Sequence, residues 1–168
     1  MEDLPFGDEA FDVVTGINSF QFAADIVHAL SEARRVLHRG GTLLMLVWGK
    51  REDCELIAGS ARAVFALLPP SRPGAPPPRN LDDLDAIEAL MREVGLTPTG
   101  RGEFSASLAF PDAKAALLAM LAASERAIRH VGEETVAKAV LATLPPFTRP
   151  DGTVVWNNRF RWVAATRS

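Results

Sequence analysis

Two short apolar runs, residues 11–15 (FDVVT) and 42–48 (TLLMLVW), constrain this chain more than any other feature. Their apolarity is continuous rather than alternating, as expected of strands buried on both faces of a parallel sheet. Between them Ile26, Leu30, Ala33 and Leu37 recur at i, i+4, i+7 and i+11, one face of a helix. Asp25 is placed to cap that helix, and Gly40 or Gly41 to end it in a left-handed turn. Strand, crossover helix and strand within about 38 residues make a right-handed βαβ unit.

The remaining elements are weaker. A second helix is expected over residues 53–68, with Ile57, Ala61, Val64 and Leu68 on one face. Residues 69–80 hold half of the chain's 12 prolines and cannot continue a helix, so an ordered surface loop is expected there. Asp82 is the expected cap of a third helix striped by Leu84, Ile87, Met91 and Val94 and stopped by Gly95. Residues 104–110 alternate as a strand with one drier face. Pro111 suits the first turn of a helix reaching Val131, Gly132 breaks it, and a further helix over 133–144 stops at Pro145-Pro146. Asp151-Gly152 reads as a turn into a long strand, 153–165, inserted antiparallel.

Composition sets limits. With 168 residues and 48% hydrophobic content the chain is long enough for a single domain, 1–168, with its own core. Charged residues make up 23%, the net charge is −3 and the basic residues form no dense run, which argues against nucleic acid as a partner. No stretch reaches the roughly 20 apolar residues that span a bilayer, so no membrane partner is expected. The single cysteine, Cys54, excludes an internal disulfide and a multi-cysteine metal site and fits a reducing compartment, so a cytoplasmic setting is the expectation. No metal site is expected.

The stretch LPFGDEAFDVV (residues 4–14), the helix end ARRVLHRGG (33–41) and the apolar TLLMLVW, in that order and spacing, resemble small-molecule class I S-adenosylmethionine-dependent methyltransferases. The resemblance implies an α/β fold: a partial Rossmann-like methyltransferase sheet, strands 4, 5, 7 and 6, with flanking helices. It makes the chain the C-terminal part of a methyltransferase catalytic domain. In the family a strand and a Gly-x-Gly loop that grips the cofactor come before the segment matched here. No such loop occurs in these 168 residues. The expectation is therefore an N-terminally truncated methyltransferase for a small-molecule acceptor, inactive alone, with S-adenosylmethionine as cofactor of the complete form. The alternative is a non-catalytic, methyltransferase-derived dimerisation or interaction module. A flavodoxin-like signalling domain shares the βαβ unit but needs carboxylates at the strand ends, which FDVVTG and TLLMLVWG do not provide.

Ligands of open α/β sheets bind outside the carboxyl ends of the strands, at the switch point. That makes Gly16, Ile17, Asn18, Ser19, Phe20 and Gln21 the candidate cofactor-binding residues. Gly16 can admit close backbone approach, the polar side chains can hydrogen-bond, and Phe20 either packs beside a ligand or fills the core. Trp48 and Gly49 border the same end and read better as packing. Methyl transfer from a sulfonium depends mainly on alignment, and no catalytic residue is assigned. His28, His38 and His130 read as helix-surface or helix-end residues, and Cys54 as a small helix-start residue. Glu125, Arg126, Arg129 and His130 read as a solvated helix face. Finally, a strand 4 without the family's strand 1 beside it is an open edge, so a homodimer is expected.

Overall fold

Strand β1 (Phe11–Ile17) pairs in parallel with β2 (Leu37–Trp48), Val13 opposite Thr42 and Ile17 opposite Leu46, and α1 (Ile26–Val36) crosses between them. This computed structural model describes residues 1–69, 81 and 83–168. They fall into two compact units, one of residues 1–50, 81, 83–104 and 159–168 and one of residues 51–69 and 105–158. The βαβ unit is as the sequence implies, and Asp25 caps α1 by accepting from Val27 N (2.9 Å) and His28 N (3.1 Å).

The helix end differs from expectation. α1 stops at Val36 and Leu37 already has extended backbone. Its last carbonyls are met from the far end of the chain instead. Arg167 Nη1 lies 3.1 Å from Arg34 O, 3.0 Å from Arg35 O and 2.6 Å from Leu37 O, and Arg167 Nη2 reaches Glu9 Oε1 at 2.9 Å. A cation on three terminal carbonyls does the work expected of a glycine turn. Gly40, at φ 79°, instead sits inside β2, beside the register shift between Phe11 and Val13.

The sheet runs β1-β2-β4-β3, with β3 Leu96–Phe110 and β4 Val154–Arg167, which is the expected 4-5-7-6 order. β4 is antiparallel to β2, from Thr42 opposite Thr166 to Trp48 opposite Phe160. The contacts Thr97–Ser168 and Glu103–Arg161 run in opposite chain directions, so β3 is antiparallel to β4 as well. β3 begins earlier than the predicted residue 104. Within that added stretch Gly100 and Gly102 lie against the Trp162 indole. A Cβ on Gly102 would come within 2.8 Å of Trp162 Nε1.

In the first unit, Val14, Leu43 and Ala165 form one cross-strand row, and Gly16, Met45 and Val163 the next. This face packs on α1 residues Ile26, Leu30 and Ala33 and on α3 (Leu84–Glu93) residues Ile87 and Met91. Each buried Leu, Ile, Val or Met among them contributes about 1.5–3 kcal/mol on burial. The opposite face carries the rows Thr15, Leu44, Ala164 and Ile17, Leu46, Trp162, and Ile17 is 62% exposed. Asp83 caps α3 through Asp85 N (2.9 Å), while Asp82 and residues 70–80 of the proline segment lie outside the described residues. Gly95, at φ 78°, ends the helix region as expected.

The second unit centres on buried Trp156, with the Phe110 ring at 5.7 Å and Phe147 at 6.3 Å. The segment expected as one regular helix over 53–68 follows a 3₁₀ turn, Arg51–Asp53, and contains a π-helical turn, Ile57–Ala61, continuing into α2 (Arg62–Phe65). The single helix predicted for 111–131 is two, α4 (Ala113–Ala122) and α5 (Glu125–Val131). Pro111 lies before the N-cap, Asp112, and Ser124 makes the break, its hydroxyl donating back to Met120 O at 2.6 Å. Gly132, at φ 85°, separates α5 from α6 (Glu133–Leu141), which stops three residues short of the predicted end.

Candidate functional site

The carboxyl end of β1 turns sharply at Asn18, whose φ of 47° lies in the left-handed region that asparagine tolerates better than most residues. Asn18 N donates to Leu46 O at 2.8 Å, so the turn stays tied to β2. A short 3₁₀ turn, Phe20–Phe22, follows and brings the chain to the Asp25 cap of α1. The structure thereby gathers all six predicted residues into one corner of the first unit.

Their surroundings differ. The Phe20 ring folds back over Gly16 and is 5% exposed, within the core that includes Ile26 and Leu30. A Cβ on Gly16 would lie 2.1 Å from Phe20 Cε2, so the space beside this glycine is filled by protein. Of the two readings of Phe20, the structure has the core one. Ile17 faces out. Asn18 and Gln21 carry polar atoms that are shut off from solvent and meet no hydrogen-bond partner: Asn18 Oδ1, Gln21 Oε1 and Gln21 Nε2.

The approach to β1 is pinned across α1. Glu2 Oε1 accepts from Ala24 N (2.6 Å) and Asp25 N (3.2 Å), and Glu32 Oε2 accepts from Leu4 N (2.9 Å). Arg35 forks onto Glu32 and Asp8, each with a contact of 2.7 Å, and also donates to Phe6 O and Leu4 O. The Arg35 hydrogen bond, with that of Leu4 N, holds the Glu32 carboxyl at about 2, well below its ordinary value. Glu32 in turn, with Asp8, raises the Arg35 guanidinium. Sequence reasoning missed this hub. The i, i+3 spacing of Glu32 and Arg35 was visible, but their grip on the preceding loop was not.

The other candidates are packing or surface residues. Trp48 lies against Phe160 at 4.7 Å, and Phe104 stacks on Phe160 at 5.5 Å. Gly49 N donates to Arg159 O at 2.7 Å. His28, His38 and His130 are exposed; His38 lies in β2 and not at a helix end, because α1 stops earlier. Cys54 is fully buried, bridged to Asn158 and set before the helical segment. Glu125 and Arg129 pair at 2.9 Å with both side chains at least 70% exposed, a solvated helix face. In the second unit a groove lined by Glu55, Phe147, Arg149 and Asn157 has its carboxylate committed, since Glu55 Oε2 accepts from Asn157 N (2.6 Å) and Nδ2 (3.1 Å).

A parallel β-α-β start whose second strand is followed in space by an antiparallel last strand is the fold found in class I S-adenosylmethionine-dependent methyltransferases. Residues 1–45, which span β1, α1 and most of β2, match the family described as methyltransferase domain. The 27-O-demethylrifamycin SV methyltransferase of Amycolatopsis mediterranei (strain S699) is 30% identical over 110 residues, 61% of this chain and 35% of the relative. The mitochondrial 2-methoxy-6-polyprenyl-1,4-benzoquinol methylase of Mus musculus is 44% identical over 52 residues, 31% of this chain and 16% of the relative. The chain thus spans about a third of the first curated relative's length and less of the second's. Among solved structures, a candidate methyltransferase of Bacillus halodurans C-125 superposes with a TM-score of 0.55 at 15% identity, covering 99% of this chain and 74% of its own. The YcgJ protein of Bacillus subtilis gives 0.52 at 16% identity, covering 99% and 68%. The 4+2 cyclase SpnF gives 0.52 at 17% identity, covering 99% and 54%. That last neighbour carries the fold under a different reaction, so the fold alone does not fix the chemistry.

Proposed function

We propose that these 168 residues are the C-terminal part, as one domain, of a methyltransferase catalytic domain that transfers a methyl group from S-adenosylmethionine to a small molecule. The observation that carries this reading is the family match over residues 1–45, because it coincides with the elements that build the β1 corner. When bound, the cofactor supplies an activated methyl on a sulfonium. What this chain supplies is an edge. The unpartnered carboxamide atoms of Asn18 and Gln21 fit a polar ligand there, and the buried Phe20 holds the corner rigid. Glu2 is not free for such a role, its carboxylate being committed to Ala24 N and Asp25 N. Of the candidate cofactor residues, Gly16, Ile17, Ser19 and Phe20 would shape the edge and Asn18 and Gln21 would touch ligand.

Family members grip the cofactor with backbone amides of a glycine-rich loop, and no such loop occurs in this sequence. The chain alone should therefore bind S-adenosylmethionine weakly and be inactive. Calorimetric titration of the purified 168-residue chain tests this; low-micromolar binding would show that the β1 corner suffices. The setting we assign is cytoplasmic. Among the described residues no helix is long and apolar enough to cross a membrane.

A second reading, a dimerising module, draws on one observation. Among the described residues β1 has β2 as its strand neighbour and leaves Val13 (59%) and Ile17 (62%) exposed. An apolar open edge invites pairing with a second copy. Residues 1–8, which could have covered it, are tied to α1 instead. Light scattering should find a homodimer, and a stable monomer at high concentration would sink this reading.

A further inference from the structure

Among the described residues five buried side-chain polar atoms meet no hydrogen-bond partner, and three of them lie within residues 18–21. The other two have evident structural owners. Trp156 Nε1 belongs to the indole that fills the second core, and Arg167 Nε to a guanidinium whose two end nitrogens are fully used. Gln21 has no such excuse, because both ends of its amide are unmet. The turn itself does not use these side chains. Its backbone closes through Asn18 N to Leu46 O (2.8 Å), Phe22 N to Ser19 O (3.0 Å) and Ala23 N to Phe20 O (3.1 Å). A buried, unmet polar group costs stability, and native chains keep few of them without a reason.

We propose that Asn18 and Gln21 read a neutral pair of neighbouring hydroxyls on a ligand: the two carboxamide oxygens accept from them, and Gln21 Nε2 donates to one hydroxyl oxygen. This rests on the reading of the β1 edge as a ligand border and narrows six candidate residues to two. The chemistry follows from the inventory of two acceptors and one donor. A carboxylate or phosphate only accepts, and would leave both oxygens unmet. An ammonium only donates, and would leave Nε2 unmet. Hydroxyls do both. The neighbouring carboxylates, Glu2 and Asp25, further disfavour an anion at this turn, and both are already committed to backbone N–H groups. Two sources present such a pair: the ribose of an adenosyl group, and a catechol-like or polyol acceptor.

The test is a titration of the full 168-residue chain, following the side-chain amide signals of Asn18 and Gln21 and the backbone amides by nitrogen–proton NMR. Four probes are used: adenosine, 2′,3′-dideoxyadenosine, catechol and 1,2-dimethoxybenzene. Adenosine, catechol or both should move the two side-chain signals, and the matching probe without free hydroxyls should bind about tenfold more weakly. A response to adenosine alone assigns the pair to the cofactor's ribose, and one to catechol alone to the acceptor. Gln21→Leu should remove the response while leaving the melting temperature unchanged or raised, since an unmet polar group has gone. Asn18→Gly keeps the positive φ and should weaken the response. The proposal is overturned if no probe moves the signals, if the hydroxyl-free probes bind equally well, or if Gln21→Leu lowers the melting temperature as a structural residue would. The methyltransferase reading fails separately, if S-adenosylhomocysteine leaves the Gly16 and Ile17 backbone amides unmoved whatever catechol does.

Discussion

Replacing Gly16 by alanine separates a glycine kept for packing from one kept for ligand approach. The new methyl would sit 2.1 Å from Phe20 Cε2, 2.4 Å from Cδ2 and 3.1 Å from Ser19 Oγ. Ordinary carbon contacts begin near about 3.5 Å, so the ring must retreat by about 1.4 Å. It has nowhere easy to go, because Phe20 is 5% exposed and shares its core with Ile26, Leu30 and Met45. Forcing an added methyl into a packed core costs about 1–3 kcal/mol. Losing the ring from the core altogether costs about 3–5 kcal/mol. We expect Gly16→Ala to destabilise by about 2–3 kcal/mol in urea unfolding followed by tryptophan emission. The same change made in Phe20→Ala should cost less than about 0.5 kcal/mol, giving a coupling near 2 kcal/mol. Equal costs in both backgrounds would refute the argument. A silent Gly16→Ala would do so too, and would return Gly16 to the role of a ligand-facing glycine.

Two further outcomes follow from contacts already described. Arg167→Met should lower stability by about 2–3 kcal/mol by urea unfolding, since three helix-end carbonyls and Glu9 lose a charged donor in a site 13% exposed. Arg167→Lys should restore only part of it, because an ammonium cannot fork. For Glu32 the folded value, about 2, lies below the ordinary 4.5. Its contribution is therefore present above pH 4.5 and is lost as pH falls through about 2, a loss that Glu32→Gln should abolish in an acid titration followed by the Leu4 amide signal.

How far the sequence reaches depends on the range of the interaction that decides each element. The βαβ unit was legible because continuous apolar runs and a helical stripe are local patterns, and Asp25 capped where it was expected. The end of α1 was not, because the group that meets its carbonyls, Arg167, lies more than a hundred residues away. β3 was cut short for the same reason: only residues 104–110 alternate locally, while Gly100 and Gly102 are held in the strand against Trp162, some sixty residues away. Within the candidate corner, the position after the first strand was readable from topology alone. Phe20 occupying the space of Gly16, and the unmet amides of Asn18 and Gln21, depend on how a four-residue turn folds back. No periodicity encodes that.

The Arg167 clamp also bears on the order in which the chain can fold as it is made. Glu9 and the end of α1 are synthesised more than a hundred residues ahead of Arg167, whose side chain secures both. β2 likewise lacks its second strand partner until β4 emerges. Residues 51–69 and 105–158, which make up the second unit, are all synthesised before Arg159–Ser168, so that unit can settle while the first still waits. The first unit therefore closes only once Arg167 has been made. Until then it exposes the β4-facing edge of β2. Loss of the Arg167 side chain should be felt first at Glu9 and the end of α1.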